Sequence, residues 1–83
     1  MSDHGDPLKN EMREAVVELI AGFAAVPADP AQPLELASLE LVQLAEALEE
    51  EFGFVVAARE LRVENFGTVE RIIDYVARKQ AGR

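Results

Sequence analysis

From Ser38 to Phe52 the chain runs without a single glycine or proline, is rich in Leu, Glu and Ala, and meets Gly53 immediately afterwards. Leu, Glu and Ala are strong helix formers, and a glycine just past such a run is the usual stop because it adopts left-handed backbone without penalty. The segment is therefore predicted to be a helix. In a chain of 83 residues there is room for only one core, so every other element must pack against it. With 49% hydrophobic and 29% charged residues, the composition is that of a globular domain and not of a disordered one.

The flanking segments supply the partners. Asp6-Pro7 reads as a cap followed by proline at the first helical position. Met12, Val16, Leu19, Ile20 and Phe23 recur at helical spacing, which predicts a helix from about Pro7 to about Phe23. Residues 24–37 contain Pro27, Pro30 and Pro33 and cannot be helical throughout. That stretch is long for a connection in so small a domain, so it is read as an ordered loop, with Leu34 and Leu36 pinning its end to the helices. One or two helical turns are expected between Ala57 and Val63, with Leu61 facing inward. Thr68 then caps a last helix whose apolar face is Val69, Ile72, Ile73 and Val76 and whose end carries Arg78 and Lys79. No segment alternates long enough to build a sheet, and Phe54-Val55-Val56 has no partner. The predicted fold is all-α: a three-to-four-helix bundle over residues 7–79 with a long loop between helices one and two. Residues 1–6 are expected to be disordered and 80–83 frayed.

Charge and chemistry exclude several function classes. Sixteen acidic side chains face eight basic ones, a net charge of −8, which repels phosphate backbones and favours partners with basic surfaces. Cysteine is absent, removing disulfides, thiolate metal sites and a cysteine nucleophile. No apolar run is long enough to cross a bilayer, and the first residues carry neither a basic flank nor an apolar stretch. These features predict a soluble cytoplasmic monomer without membrane insertion. His4 is the only histidine and reads as incidental. Glu49-Glu50-Glu51 reads as a solvated face, and the oxygen-rich calcium loop is missing. Ser38 lacks both a glycine-flanked elbow and a histidine base, so the chain is not expected to be an enzyme.

The second helix has two stripes when residues are placed at 100° intervals. Leu41, Leu44, Ala45, Leu48 and Phe52 form the core side. Ser38, Leu39, Val42, Glu46, Glu49 and Glu50 lie on another, where two apolar residues framed by acids make a candidate docking surface. Ser38 is expected to be the helix cap. Position 41 is then Leu, so no reciprocal capping box is expected. A hydroxyl at a helix N-terminus lies beside free N–H groups and the positive end of the helix dipole, a favourable place for a phosphodiester.

The stretch Leu34 to Gly53, with Ser38-Leu39 opening the helix and Glu49-Glu50-Glu51-Phe52 closing it, resembles the modification helix of acyl carrier proteins. Glu64-Asn65-Phe66-Gly67-Thr68 through Val76 is similar to the way that family begins its last helix, in fatty-acid, peptidyl and aminoacyl carriers alike. The resemblance spans about Pro7 to Lys79. It implies that Ser38 receives 4′-phosphopantetheine from coenzyme A through a phosphopantetheinyl transferase, and that the arm holds an acyl or aminoacyl group as a thioester. It further implies a loading ligase and acyl-using enzymes of a fatty acid, polyketide or related specialised pathway as partners. These would read Leu39, Val42, Glu46, Glu49 and Glu50 through basic docking surfaces. The chain departs from the family at Ala37, where an aspartate that helps the transferase and its metal engage the serine is usual, and at Gln43 and Glu46. The first loop is shorter and the Phe52–Thr68 segment longer than is typical. These differences point to a specialised carrier. Ala37 also supports the alternative of an unmodified carrier-like bundle acting as a protein-interaction adaptor.

Overall fold

The computed structural model describes residues 7–82. The expected disorder of residues 1–6, the Asp6 cap and His4 lie outside the described residues. Four helices follow one another: α1 (Pro7–Ala21), α2 (Ser38–Phe52), α3 (Val63–Phe66) and α4 (Val69–Ala81), with a 3₁₀ turn at Ala58–Glu60 before α3. Among the described residues the only β pairing is an isolated bridge between Pro33 and Thr68. The all-α bundle expected from the sequence is the fold observed.

The three long helices each contribute buried residues at helical spacing. Val16 and Ile20 come from α1, Leu44, Ala45 and Leu48 from α2, and Val69, Ile72, Ile73, Tyr75 and Val76 from α4. Met12, Leu19, Phe23, Leu41, Phe52 and Leu61 pack partly buried around them. Three aromatic rings complete the core: Phe54 from the segment after α2, Phe66 from α3 and Tyr75 from α4. Phe54 meets Tyr75 edge-on at 6.0 Å, and Phe66 lies 5.0 Å from Tyr75. The Phe54-Val55-Val56 segment thus feeds the core without belonging to a sheet, with Phe54 inward and Val55 exposed.

The first helix stops at Ala21, two residues before the expected end, and the chain turns through Phe23 N–H and Ala24 N–H bonds to the Ile20 carbonyl. Phe23 still faces the core from this turn, so its apolar spacing carried it past the true helix end. The last helix continues through Gln80 and Ala81, where fraying was expected, and Gly82 N–H returns to the Arg78 carbonyl. Gly53 ends α2 with φ of 76° and an N–H bond to the Glu49 carbonyl.

The long loop is ordered, as predicted, and its anchors are partly backbone. Leu34 N–H donates to the Gly67 carbonyl at 2.8 Å and Glu70 N–H to the Pro30 carbonyl at 3.1 Å. Leu34 and Leu36 pack on the core. The loop that delivers Ser38 is thereby stitched to the α3–α4 junction. Gly67 sits at that junction where a Cβ would fall 2.6 Å from the Val63 carbonyl oxygen, so only glycine lets α3 turn so tightly into α4.

Candidate functional site

Ser38 is the first helical residue of α2, and Ala37 with φ −70° and ψ 160° is the cap. This corrects the assignment of Ser38 as the capping residue. Leu41 N–H reaches the Ala37 carbonyl at 2.9 Å, which places the helix start one residue earlier than the hydroxyl alone suggests. Ala37 has no side-chain oxygen, and its N–H is instead accepted by Glu40 Oε1 at 2.9 Å. Half of a capping box is therefore present after all, with Glu40 and not residue 41 as its third helical position. The motif is visible in the sequence once Ala37 is taken as the cap, but serine's stronger preference for that position hides it.

The consequence falls on the serine. Its residue is exposed, and among the described residues none hydrogen-bonds its hydroxyl. The first N–H groups of a helix have no intrahelical acceptor, so Ser38 lies at the positive end of the dipole of a fifteen-residue helix. That environment suits an esterified phosphate. Ser38 would hold 4′-phosphopantetheine through Oγ, and nothing in the surrounding fold obstructs the hydroxyl.

Four of the five expected docking residues point outward. Leu39 is 67% exposed and Val42 42%; Glu46 and Glu50 are exposed. Glu49 differs from the solvent-facing expectation. It is half-buried, and its Oε2 accepts the Val56 N–H at 2.7 Å. The chain folds back after Gly53, so this carboxylate meets a backbone donor seven residues on, a contact that helical periodicity cannot show.

Val63, at the start of α3, is 66% exposed and was not among the residues singled out by sequence. It borders an apolar cleft of about 200 Å³ that also takes in Leu34, Leu36 and Leu41. Leu41, which lines the cleft, is about one helical turn along α2 from Ser38. No pattern in the sequence marks Val63, because a four-residue helix is too short to show periodicity.

Glu60, in the 3₁₀ turn before α3, ties that turn to α4. Its Oε1 accepts the Ala57 N–H at 3.0 Å, the Tyr75 hydroxyl at 2.9 Å and the Lys79 ammonium at 3.1 Å. The Ala57 N–H, then the Tyr75 hydroxyl, with Lys79 adding charge, hold its carboxyl down at about 2. Burial, followed by the same carboxylate, pushes the Tyr75 hydroxyl up. On α3 the Glu64 carboxyl is lowered by its own backbone N–H and by Arg62. Among the described residues no group of His, Asp and Glu gathers to hold a metal ion, and no helix is long and apolar enough to cross a membrane.

No curated protein and no solved structure matches the chain. A family model described as the phosphopantetheine attachment site matches residues 14–76, a span that contains Ser38 and all of α2 and α3. Members of that family carry 4′-phosphopantetheine covalently and act as carriers, not catalysts. The match over residues 14–76 of an acidic helical bundle places the chain in the phosphopantetheine-binding family of acyl carrier proteins.

Proposed function

We propose that the protein carries acyl or aminoacyl groups on a 4′-phosphopantetheine arm attached to Ser38 and presents them to enzymes of a fatty acid, polyketide or related specialised pathway. The observation that carries this reading is the Ser38 hydroxyl, exposed and free of hydrogen bonds at the α2 N-terminus. In the modification, Ser38 Oγ forms a bond to the phosphorus that bears the pantetheine of coenzyme A. The bond from that phosphorus to the bridging oxygen breaks, adenosine 3′,5′-bisphosphate leaves with the electron pair, and the hydroxyl proton passes to a base of the transferase. Once attached, the arm supplies a thiol for thioester chemistry, which a chain without cysteine cannot supply itself.

The protein's own residues then serve recognition. Leu39 and Val42 offer apolar contact, while Glu46 and Glu50 attract basic side chains on the transferase, the loading ligase and acyl-using enzymes. Glu49 borders the same surface, with one oxygen already committed to Val56. The chain performs no catalysis, and the cytoplasm, where coenzyme A is abundant, is its proposed location.

Intact-mass measurement after incubation with coenzyme A and a broad-specificity transferase tests the assignment. A gain of one phosphopantetheine is expected, and Ser38→Ala is expected to abolish it. An unmodified chain after several transferases supports instead the adaptor reading that Ala37 favours.

A further inference from the structure

Two registers are conceivable for the start of α2. In one, the helix begins at Leu39 and the Ser38 hydroxyl accepts a backbone N–H two or three residues on, as a capping serine does. In the other, which is the one observed, Ser38 is helical, Ala37 is the cap, and Leu41 N–H donates to the Ala37 carbonyl. Serine is the better cap by intrinsic preference, so local chemistry favours the first register. Glu40 opposes it. A reach-back bond joins the third helical position to the cap N–H, so Glu40 makes its 2.9 Å bond to Ala37 only when residue 37 is the cap. With Ser38 as the cap, the third position would be Leu41, which has no acceptor.

We infer that Glu40 is a positioning residue for the modification of Ser38: it holds α2 in the register capped at Ala37 and so keeps the serine Oγ out of the helix's own hydrogen bonds. This rests on Ser38 being the attachment residue. The freed hydroxyl keeps its lone pairs for the attack on phosphorus, whereas a capping hydroxyl has one directed at a backbone N–H.

The test follows arm transfer to the full chain by intact mass, using coenzyme A and a broad-specificity transferase. In parallel, the Cα and Cβ chemical shifts of Ser38 in the unmodified protein report whether that residue is helical or extended. Glu40→Ala is expected to lower kcat/KM by up to about fivefold, the largest population change that one lost cap allows, and to move the Ser38 shifts toward extended values. Glu40→Gln, whose amide oxygen still accepts the Ala37 N–H, is expected to keep helical shifts and most of the rate. Ala37→Asp placed in the Glu40→Ala background supplies a cap oxygen at residue 37 and is expected to restore both. Helical Ser38 shifts in Glu40→Ala overturn the inference, whether or not the serine is modified. A slow Glu40→Gln with helical shifts also overturns it, because the transferase is then reading the charge itself. Failure of the wild-type chain to accept the arm removes the attachment reading and Glu40's role with it, while the shifts still report separately whether Glu40 sets the register.

Discussion

Glu49 and Glu50 stand side by side in α2, and the 100° between successive residues sends them to different surroundings. Glu50 is exposed, whereas Glu49 is half-buried with Oε2 accepting the Val56 N–H at 2.7 Å. Replacing Glu49 by Lys removes the acceptor from a backbone donor as the chain leaves α2, and bonds to charged groups are worth about 1.5–3 kcal/mol. Glu49→Lys is therefore expected to lower the melting temperature clearly. Glu50→Lys is expected to change stability by no more than about 0.5 kcal/mol while weakening association with a basic partner. Equal melting temperatures for the two variants would show that the Val56 bond contributes nothing. Ser38 shows the same principle: its residue type suggested a cap, whereas the cap is Ala37, whose N–H is accepted by Glu40 three positions on.

At the scale of elements, α3 is the piece that cannot stand alone. Four residues are too few to nucleate a helix, so tertiary bonds must hold it. Arg71 donates to the Val63 carbonyl, Arg78 to the Asn65 side-chain oxygen, and the Asn65 amide to the Glu60 carbonyl. Glu60 is the hub, tying the 3₁₀ turn to Tyr75 and Lys79 of α4. Its carboxyl is held at about 2 against an ordinary value of 4.5, so the folded state binds the proton less readily than the unfolded chain. The stability this contributes is complete above about pH 4.5 and is lost as pH falls toward 2. Acid titration followed by circular dichroism is expected to show destabilisation across that window, and Glu60→Gln is expected to flatten it. An unchanged acid profile in Glu60→Gln would assign the loss to other carboxylates.

Over the whole molecule, charge is segregated along the chain. Residues 1–53 hold twelve acidic and two basic side chains, and residues 54–83 hold four acidic and six basic ones. The net negative charge therefore belongs to the part that includes α1, the loop and the Ser38 helix, while the part after Gly53 is slightly positive. Such polarity orients the approach of a basic partner toward α2 and accelerates its encounter. Association rates with a basic partner enzyme are expected to fall as salt rises, since the screening length is about 10 Å at 0.1 M. Glu46→Lys with Glu50→Lys is expected to flatten that dependence. Stopped-flow measurements across a salt series check this, and a salt-independent rate would remove electrostatic steering from the account.

Much of this protein was readable from its residues. The bounds of α2, the Thr68 cap with its bond from Arg71 N–H and the apolar stripe of α4 all follow from interactions within one or two helical turns. Propensity, capping and 3.6-residue periodicity report such interactions directly. The family was legible for the same reason, because its motifs lie within helices. What the tertiary structure alone decided involves groups distant in sequence or competing locally. The burial of Phe54, Phe66 and Tyr75 against one another, the exposure of Val63 and the engagement of Glu49 by Val56 depend on where the chain returns after Gly53. The choice between Ala37 and Ser38 as the cap lies within one turn, but the cap observed is Ala37, whose N–H bonds the Glu40 side chain, a contact that residue preference does not count. Short-range rules set which segments become helices; the packing of those helices set which side chains remained free to act.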